Sequence, residues 1–318
     1  MAEYKGIKGF NIQTVSSDPP APFAGEVWYN STSATVKYFG VQAAAWATGG
    51  NLTTGRRMLS GAGTQTAGLA FGGREGNPQS NATEEYNGSS WTNGGNLALA
   101  RSELGGAGTQ TAALGFGGGP PKTNTTEEYN GSSWTGGGNL GAVTDKIVGC
   151  GTQTAGLAFG GEPDTDGTQE YDGSSWTAGG NLGTGRYLMG SAGTQTAALA
   201  FGGAPGNKTN TEEYNGTAWT AGGVLNDGVA EQGGLGIQTA ALSFGGSLPS
   251  ITAVTEQYDG SSWTTTASLN VARKQLWGAG TITAGLAFGG TLSPSNEQGV
   301  STEEFSAGGP ATFTVGTD

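Results

Sequence analysis

Apolar positions along this chain recur in short alternating runs. In Ala198-Leu199-Ala200-Phe201 small and large side chains alternate, and the run ends in Gly202-Gly203. Period-two alternation marks a strand whose two faces meet different surroundings. The run ends in the same way at Phe71, Phe116, Phe159, Phe201, Phe244 and Phe288, at steps of 45, 43, 42, 43 and 44 residues. A second landmark keeps the step: Tyr86, Tyr129, Tyr171, Tyr214 and Tyr258 each precede a Trp by five residues (Trp91, Trp134, Trp176, Trp219, Trp263). Asn-Gly or Asp-Gly follows each Tyr, a pair that suits a two-residue type I′ hairpin turn. Each unit thus reads as four strands, in the fourth unit "RYLMGSAG" (a), "TAALAFGG" (b), "NTEEY" (c) and "TAWT" (d). A period of 42–45 residues with four short strands is the size of one propeller blade. On strand b, Leu199 and Phe201 share one face and Ala198 and Ala200 the other, so the bulky face of one sheet is expected to meet the small face of the next.

Composition narrows the chemistry. Glycine supplies 63 of 318 residues and only 12% are charged. The regularly spaced aromatics supply a core, which sets the chain apart from a low-complexity linker. A net charge of −12 argues against phosphate-neutralising nucleic-acid binding. Cys150 is the only cysteine, so neither an internal disulfide nor a cysteine zinc site is expected. "MAEYKGIKGFNIQTV" lacks the apolar core of a signal peptide, and no apolar run is long enough to span a membrane. The chain has no histidine, which removes Ser-His-Asp and Cys-His arrangements and imidazole metal ligands. No enzyme activity, cofactor or metal is expected. The "EE" pairs recur from unit to unit, whereas an active site is needed once.

A hydrophobic strand ending in Gly-Gly, then a Tyr, then a Trp, resembles the kelch repeat over residues 46–305. The resemblance implies an all-β, six-bladed kelch-like β-propeller, with seven blades as the alternative. "VKYFGVQAAAWATGGNL" carries Tyr38 and Trp46 ahead of the first full unit. Either Trp46 supplies the outer strand of the last blade, or residues 26–47 help form an irregular seventh one. "STEEF" reads as strand c of the last unit and "ATFTV" as a possible strand d. Copper oxidases with kelch propellers need His ligands, which are absent here. The "YDGSSW" stretch only superficially resembles the Asp-box of six-bladed sialidases, lacking the residue between Asp and Gly.

Residues 1–25 do not fit the repeat, and "SSDPPAPFAG" reads as an extended connector. With "GEVWYNSTSATVKYF", two short strands around a polar turn, it resembles a segment of virion structural proteins and tail fibres of tailed bacteriophages. That implies a virion location, a short extended N-terminal arm over residues 1–25 that docks on other virion proteins, and a propeller over residues 26–318.

The b–c loops differ from unit to unit, and loops free to vary on a rigid scaffold are where recognition is built. In the d–a segments, eight residues before "TQT" or its variant, stand Arg56, Arg101, Thr144, Arg186, Val229 and Arg273. Arg57, Lys146, Tyr187 and Lys274 lie beside them. A converging arginine ring would hold anionic groups with bidentate geometry, with Tyr187 as a sugar-stacking platform. The alternative is that each arginine pairs with a strand-c carboxylate such as Glu84, Glu127, Glu212 or Glu303. The expected function is a non-enzymatic virion surface protein, tail-fibre or adhesin-like, that attaches to host-surface glycan or a protein receptor. The alternative is a purely structural capsid-decoration or tail component.

Overall fold

The computed structural model describes residues 12–162, 166–292 and 297–315. The chain divides into two compact bodies, one over Ala45–Ser306 and one combining the segments before Ala45 and after Ser306. All regular structure among the described residues is β: seven four-stranded sheets and two short two-stranded ones. The repeated four-stranded antiparallel sheets form a β-propeller.

In the repeat body, the second unit is typical. Its strands Gly105–Thr109, Ala112–Phe116, Thr126–Tyr129 and Trp134–Gly136 pair antiparallel in sequence order. The same arrangement recurs in each of six sheets. Strand c of the sixth, Thr302–Ser306, takes its outer partner from Ala45–Thr48, with Phe305 opposite Trp46. The innermost strands adjoin one another in an unbroken cycle, the last (Trp277–Thr281) neighbouring the first (Ser60–Thr64).

Strand b packs as its alternation predicts. Leu157 and Phe159 cluster with Ala198, Ala200, Tyr214 and Trp219 of the following unit, and Leu199 and Phe201 with Ala241, Tyr258 and Trp263. The aromatic contacts complete the cycle: Phe71 on Trp134, Phe116 on Trp176, Phe159 on Trp219, Phe201 on Trp263, Phe244 on Trp46 and Phe288 on Trp91, with centroids 4.8–5.1 Å apart. The double glycine has its own cause. Gly72 and Gly73 hold φ of +66° and +98°, and the Gly73 N–H donates to the Arg101 carbonyl of the next unit. The sixth unit repeats this with Gly290 donating to Arg56, which closes the ring. Such backbone angles favour glycine strongly.

The Asn-Gly turns differ from expectation. Tyr86 pairs directly with Trp91, leaving a four-residue loop in which Gly88 alone has positive φ. Asn87 Oδ1 accepts the backbone N–H of Ser89 and of Ser90, so the loop is an Asx turn and not a two-residue type I′ turn.

The terminal body is one sheet in the order Gln13–Val15, Val27–Asn30, Thr35–Gln42, Gly309–Thr314, its first pair parallel and the others antiparallel. Three expectations are corrected here. "ATFTV" is not strand d of the last unit, because Phe313 pairs with Tyr38 and stacks on it at 5.0 Å. Residues 26–44 and the C-terminal segment belong with the first segment, so the boundary expected at residue 25 lies at Ala44/Ala45. Residues 13–15 are a paired strand and not a free arm; residues 1–11 of that arm lie outside the described residues. The connector holds an anchor: Asp18 accepts from Trp28 Nε1 (3.0 Å), Asn30 Nδ2 (2.8 Å) and Lys37 Nζ (2.8 Å). These bonds, from Lys37 foremost, hold its carboxyl near pKa 2, below the usual carboxylate range.

Two outcomes follow from this packing. Trp46→Ala removes a buried ring that joins the chain ends of the repeat body, and is expected to cost about 3–5 kcal/mol in urea unfolding. Since Asp18 titrates lower folded than unfolded, its contribution is present above about pH 4 and is lost as pH falls toward 2. Amide exchange across residues 28–38 is expected to accelerate over that window, and Asp18→Asn to remove the pH dependence.

Candidate functional site

Each d–a segment joins the b–c loop of its own unit through a short antiparallel bridge, so both sets of loops lie at one end of the repeat body. The bridging positions are Arg57 with Arg74, Ser102 with Gly119, Asp145 with Glu162, Tyr187 with Ala204, Ala230 with Ser247 and Lys274 with Thr291. The eight candidate residues fall into three successive columns of this segment, and the columns have different fates.

The first column is buried. Arg56, Arg101, Arg186 and Arg273 are at most 1% exposed, which corrects their assignment as ligand anchors. Arg56 Nη1 donates to the carbonyls of Gly72 and Ala82, both at 2.8 Å, and Nη2 to Glu84 Oε1 at 2.8 Å. Arg101, Arg186 and Arg273 repeat the pattern on Glu127, Glu212 and Glu303. Each guanidinium thereby ties together two carbonyls at the ends of the b–c loop, one of which, as at Ala82, also accepts the Gly72 N–H. Burial pulls all four below their ordinary pKa, to about 10 for Arg101 and Arg273, which stay charged at neutral pH.

The carboxylates are equally committed. The other oxygen of Glu127 accepts the Ala98 N–H at 2.7 Å, and Glu212 likewise accepts Gly183. The second acid of each pair points to the next sheet: Glu85 accepts the Tyr129 hydroxyl at 2.6 Å, and Glu128 that of Tyr171. Where the next tyrosine is replaced by Phe305, the facing position is Gln257, and no carboxylate is needed. The "EE" pairs are joints within and between sheets.

The second column, with Arg57, Tyr187 and Lys274, is half-buried. Lys274 Nζ pairs with Glu231 at 2.6 Å. Tyr187 lies under Lys146, whose Nζ is 5.2 Å from the ring centroid. Lys146 itself opens the third column and pairs with Glu162 at 2.5 Å.

That third column, two residues beyond the arginines, is not evident as a column in the sequence, although Lys146 is one of the candidate residues there. It consists of Met58, Glu103, Lys146, Leu188, Glu231 and Gln275, all with left-handed φ between +52° and +63°. None is glycine, asparagine or aspartate, so each position is strained, and such strain is stored where the surroundings over-determine it. The surroundings here are a collar of backbone hydrogen bonds. The N–H of Glu103 donates to the carbonyl of Met58, Leu188 to Lys146, Glu231 to Leu188, Gln275 to Glu231 and Met58 to Gln275. Among the described residues, the link from Lys146 to Glu103 is the one not made. The collar rims a cavity of about 60 Å³. Leu59, Leu104, Ile147, Met189 and Leu276 form its floor together with Gln232, the one polar side chain in that ring. A second cavity of about 150 Å³ is lined largely by glycines of the innermost strands. A side chain at Gly106 would place its Cβ 2.3 Å from Ser60 Oγ, so close approach of neighbouring strands requires glycine there. Cys150 lies in this wall, buried, with its thiol pKa pushed up by desolvation.

The only signal for the collar was its fixed register against "TQT", six residues upstream in every unit. Side chains as different as Met, Lys and Glu hid a shared backbone requirement.

No family model and no curated protein matches the chain. Its fold is similar to a solved structure titled "Structure of YjhT", with a TM-score of 0.65 and 12% identity over 79% of this chain and 95% of that one. At that identity the likeness concerns fold alone.

The arginine assignment has a direct test. Arg101→Ala leaves Glu127 buried without its cation and is expected to destabilise by about 3–5 kcal/mol, whereas Arg101→Met with Glu127→Leu removes the lone charge and loses less, keeping only the cost of the Gly117 carbonyl and Ala98 N–H left unpaired. Urea midpoints of the two variants give the comparison.

Proposed function

We propose that the chain is a non-enzymatic recognition protein of a tailed-phage particle, binding host-surface glycan through the collar end of a six-bladed kelch-like propeller. In this reading the six cyclically linked sheets are the blades, and the seventh four-stranded sheet is not counted among them. The observation that carries it is where the units differ. The joints between sheets repeat almost without change, while the side chains of the collar and b–c loops vary from unit to unit at one end. A scaffold so uniform places varied polar side chains at fixed positions, as a recognition surface needs.

The buried arginines change the chemistry of the proposal. Contacts would come from Lys146, Tyr187, Lys274 and the loop residues, which are half-buried and line the collar end. The phage assignment rests on the resemblance of residues 15–39, and attachment to the particle falls to the terminal body. Removing residues 1–25 would delete the Asp18 anchor, so deletion of residues 1–11 is the cleaner test of particle incorporation.

Binding to a glycan array and to host cells tests the main reading. Lys146→Ala with Tyr187→Ala is expected to lower binding at least tenfold while leaving the urea midpoint of the repeat body nearly unchanged. Undiminished binding by this variant would remove the collar end from the proposal. Failure of the intact protein to bind any glycan or cell would favour a purely structural role in the particle.

A further inference from the structure

Two acceptors lining the collar cavity have no hydrogen-bond donor among the described residues. Glu103 is half-buried beside the cavity, in strained left-handed backbone, and its carboxylate makes no hydrogen bond or ion pair among the described residues. Desolvation pushes its pKa up, so the carboxylate sits where a charge lacks compensation. Gln232 is 5% exposed and lines the same cavity; its Nε2 donates to the Phe201 carbonyl at 2.8 Å, while Oε1 has no partner. Buried polar atoms are nearly always satisfied, so an orphan beside a cavity calls for a donor. The five matching positions are Leu59, Leu104, Ile147, Met189 and Leu276, so packing does not demand an amide at this position.

The cations nearest the cavity have other partners, while Arg57, beside Met58, has a buried Nε without one among the described residues and does not line the cavity. Lys146 is tied to Glu162, Lys122 to Asp145 and Glu162, and Lys274 to Glu231. Arg74 Nε donates to Ser102 Oγ. Lys146 and Arg74 act on Glu103 only through space, and Asp145 and Glu162 oppose them. What the cavity lacks is a donor that reaches Glu103 and Gln232 Oε1 over the apolar floor. This reverses the preference for anions expected from an exposed arginine ring.

We propose that the collar cavity binds the protonated amino group of an amine-bearing sugar, with Glu103 as counter-ion and Gln232 Oε1 as hydrogen-bond acceptor. The inference rests on the glycan reading and deepens it by naming the sugar class. An ammonium supplies three donors, and hydrogen bonds to charged groups are the stronger kind. The apolar floor suits the hydrocarbon face of the ring that bears the amine.

The experiment is calorimetric titration of the full chain at neutral pH with four probes. These are a chitosan oligomer with free amines, the N-acetylated chitin oligomer, an oligogalacturonate, and spermidine as an amine without a sugar. The expected result is binding of the chitosan oligomer at least tenfold tighter than of its acetylated counterpart. Glu103→Gln and Gln232→Leu are each expected to weaken it about tenfold, the loss of one charge-assisted hydrogen bond. Gln232→Leu places in the fifth unit the residue already present in three others, so the urea midpoint is expected to hold, and it serves as the variant that keeps its fold. Equal binding of chitosan and chitin oligomers, or a preference for the galacturonate, overturns the inference and leaves the glycan reading standing. Spermidine bound as tightly as chitosan, through the same two residues, keeps the amine site and overturns the sugar. Silence with all four probes overturns the inference, and the array then decides the glycan reading.

Discussion

No sheet of the repeat body satisfies its own polar groups; each is completed by its neighbour. The outer-strand indole N–H donates to a threonine hydroxyl of the preceding sheet, as Trp134 does to Thr83 and Trp46 to Thr255. The tyrosine hydroxyl donates to the preceding sheet's second glutamate. The glutamine of "TQT" spans the same seam, Gln110 Nε2 donating to the carbonyls of Gly68 and Tyr86. A chain with these joints leaves buried donors without acceptors unless the last sheet reaches the first, since a repeat cannot bury its face alone. Ring closure is therefore a condition of satisfaction for every unit. Trp46, far away in sequence, completes the sixth sheet for that reason.

The same constraint explains the exceptions. Gln257 stands where a glutamate would face Phe305, which has no hydroxyl to donate. Thr144 stands where an arginine would be, and the strand-c acid of that unit is Gln169, which still accepts the Gly141 N–H at 2.8 Å. Val229 also replaces arginine, yet Glu256 remains, and Asn226 supplies donors from its backbone N–H and from Nδ2. Ile282 breaks the glutamine column in the sixth unit. In the first two cases the loss of a donor is matched by the loss of the charge that needed it; in the third, Asn226 keeps the loop donors to Oε2 that Thr53 gives Glu84, without a replacement among the described residues for the arginine on Oε1. Buried charge without a partner is costly enough to demand such matching.

Much of this was legible in the sequence, because period-two alternation and a fixed step are written in residue types. The packing of Leu199 and Phe201 against the alanines of the next sheet follows directly from alternation, as does the pairing of strands within a unit. The arginine column was legible as a column but not as to its surroundings. Residue type alone does not distinguish a guanidinium facing a ligand from one capping loop carbonyls, and only the strand-c glutamate in register indicated the second. The collar was illegible for the opposite reason: its shared property is a backbone angle, and Met58, Lys146 and Glu231 have nothing in common as side chains. Asp18 was hidden within a proline-rich connector, where one carboxylate among turn residues gives no periodic signal.

Strain at the collar and uniformity of the joints are linked. Six left-handed residues are held in place by backbone bonds from neighbouring units, on both sides except between Glu103 and Lys146, and those bonds depend on the sheets being locked in a cycle. The side chains of Met58, Glu103 and Leu188 make no hydrogen bond or ion pair among the described residues, whereas Lys146 and Glu231 form charge pairs and Gln275 donates to Glu231 and accepts from Thr291. A position whose backbone is fixed by the scaffold and whose side chain is unconstrained by packing can change without loss of fold. The collar places six side chains around one cavity, and it is here, rather than at the buried arginines, that side-chain identity changes from unit to unit on a fixed backbone.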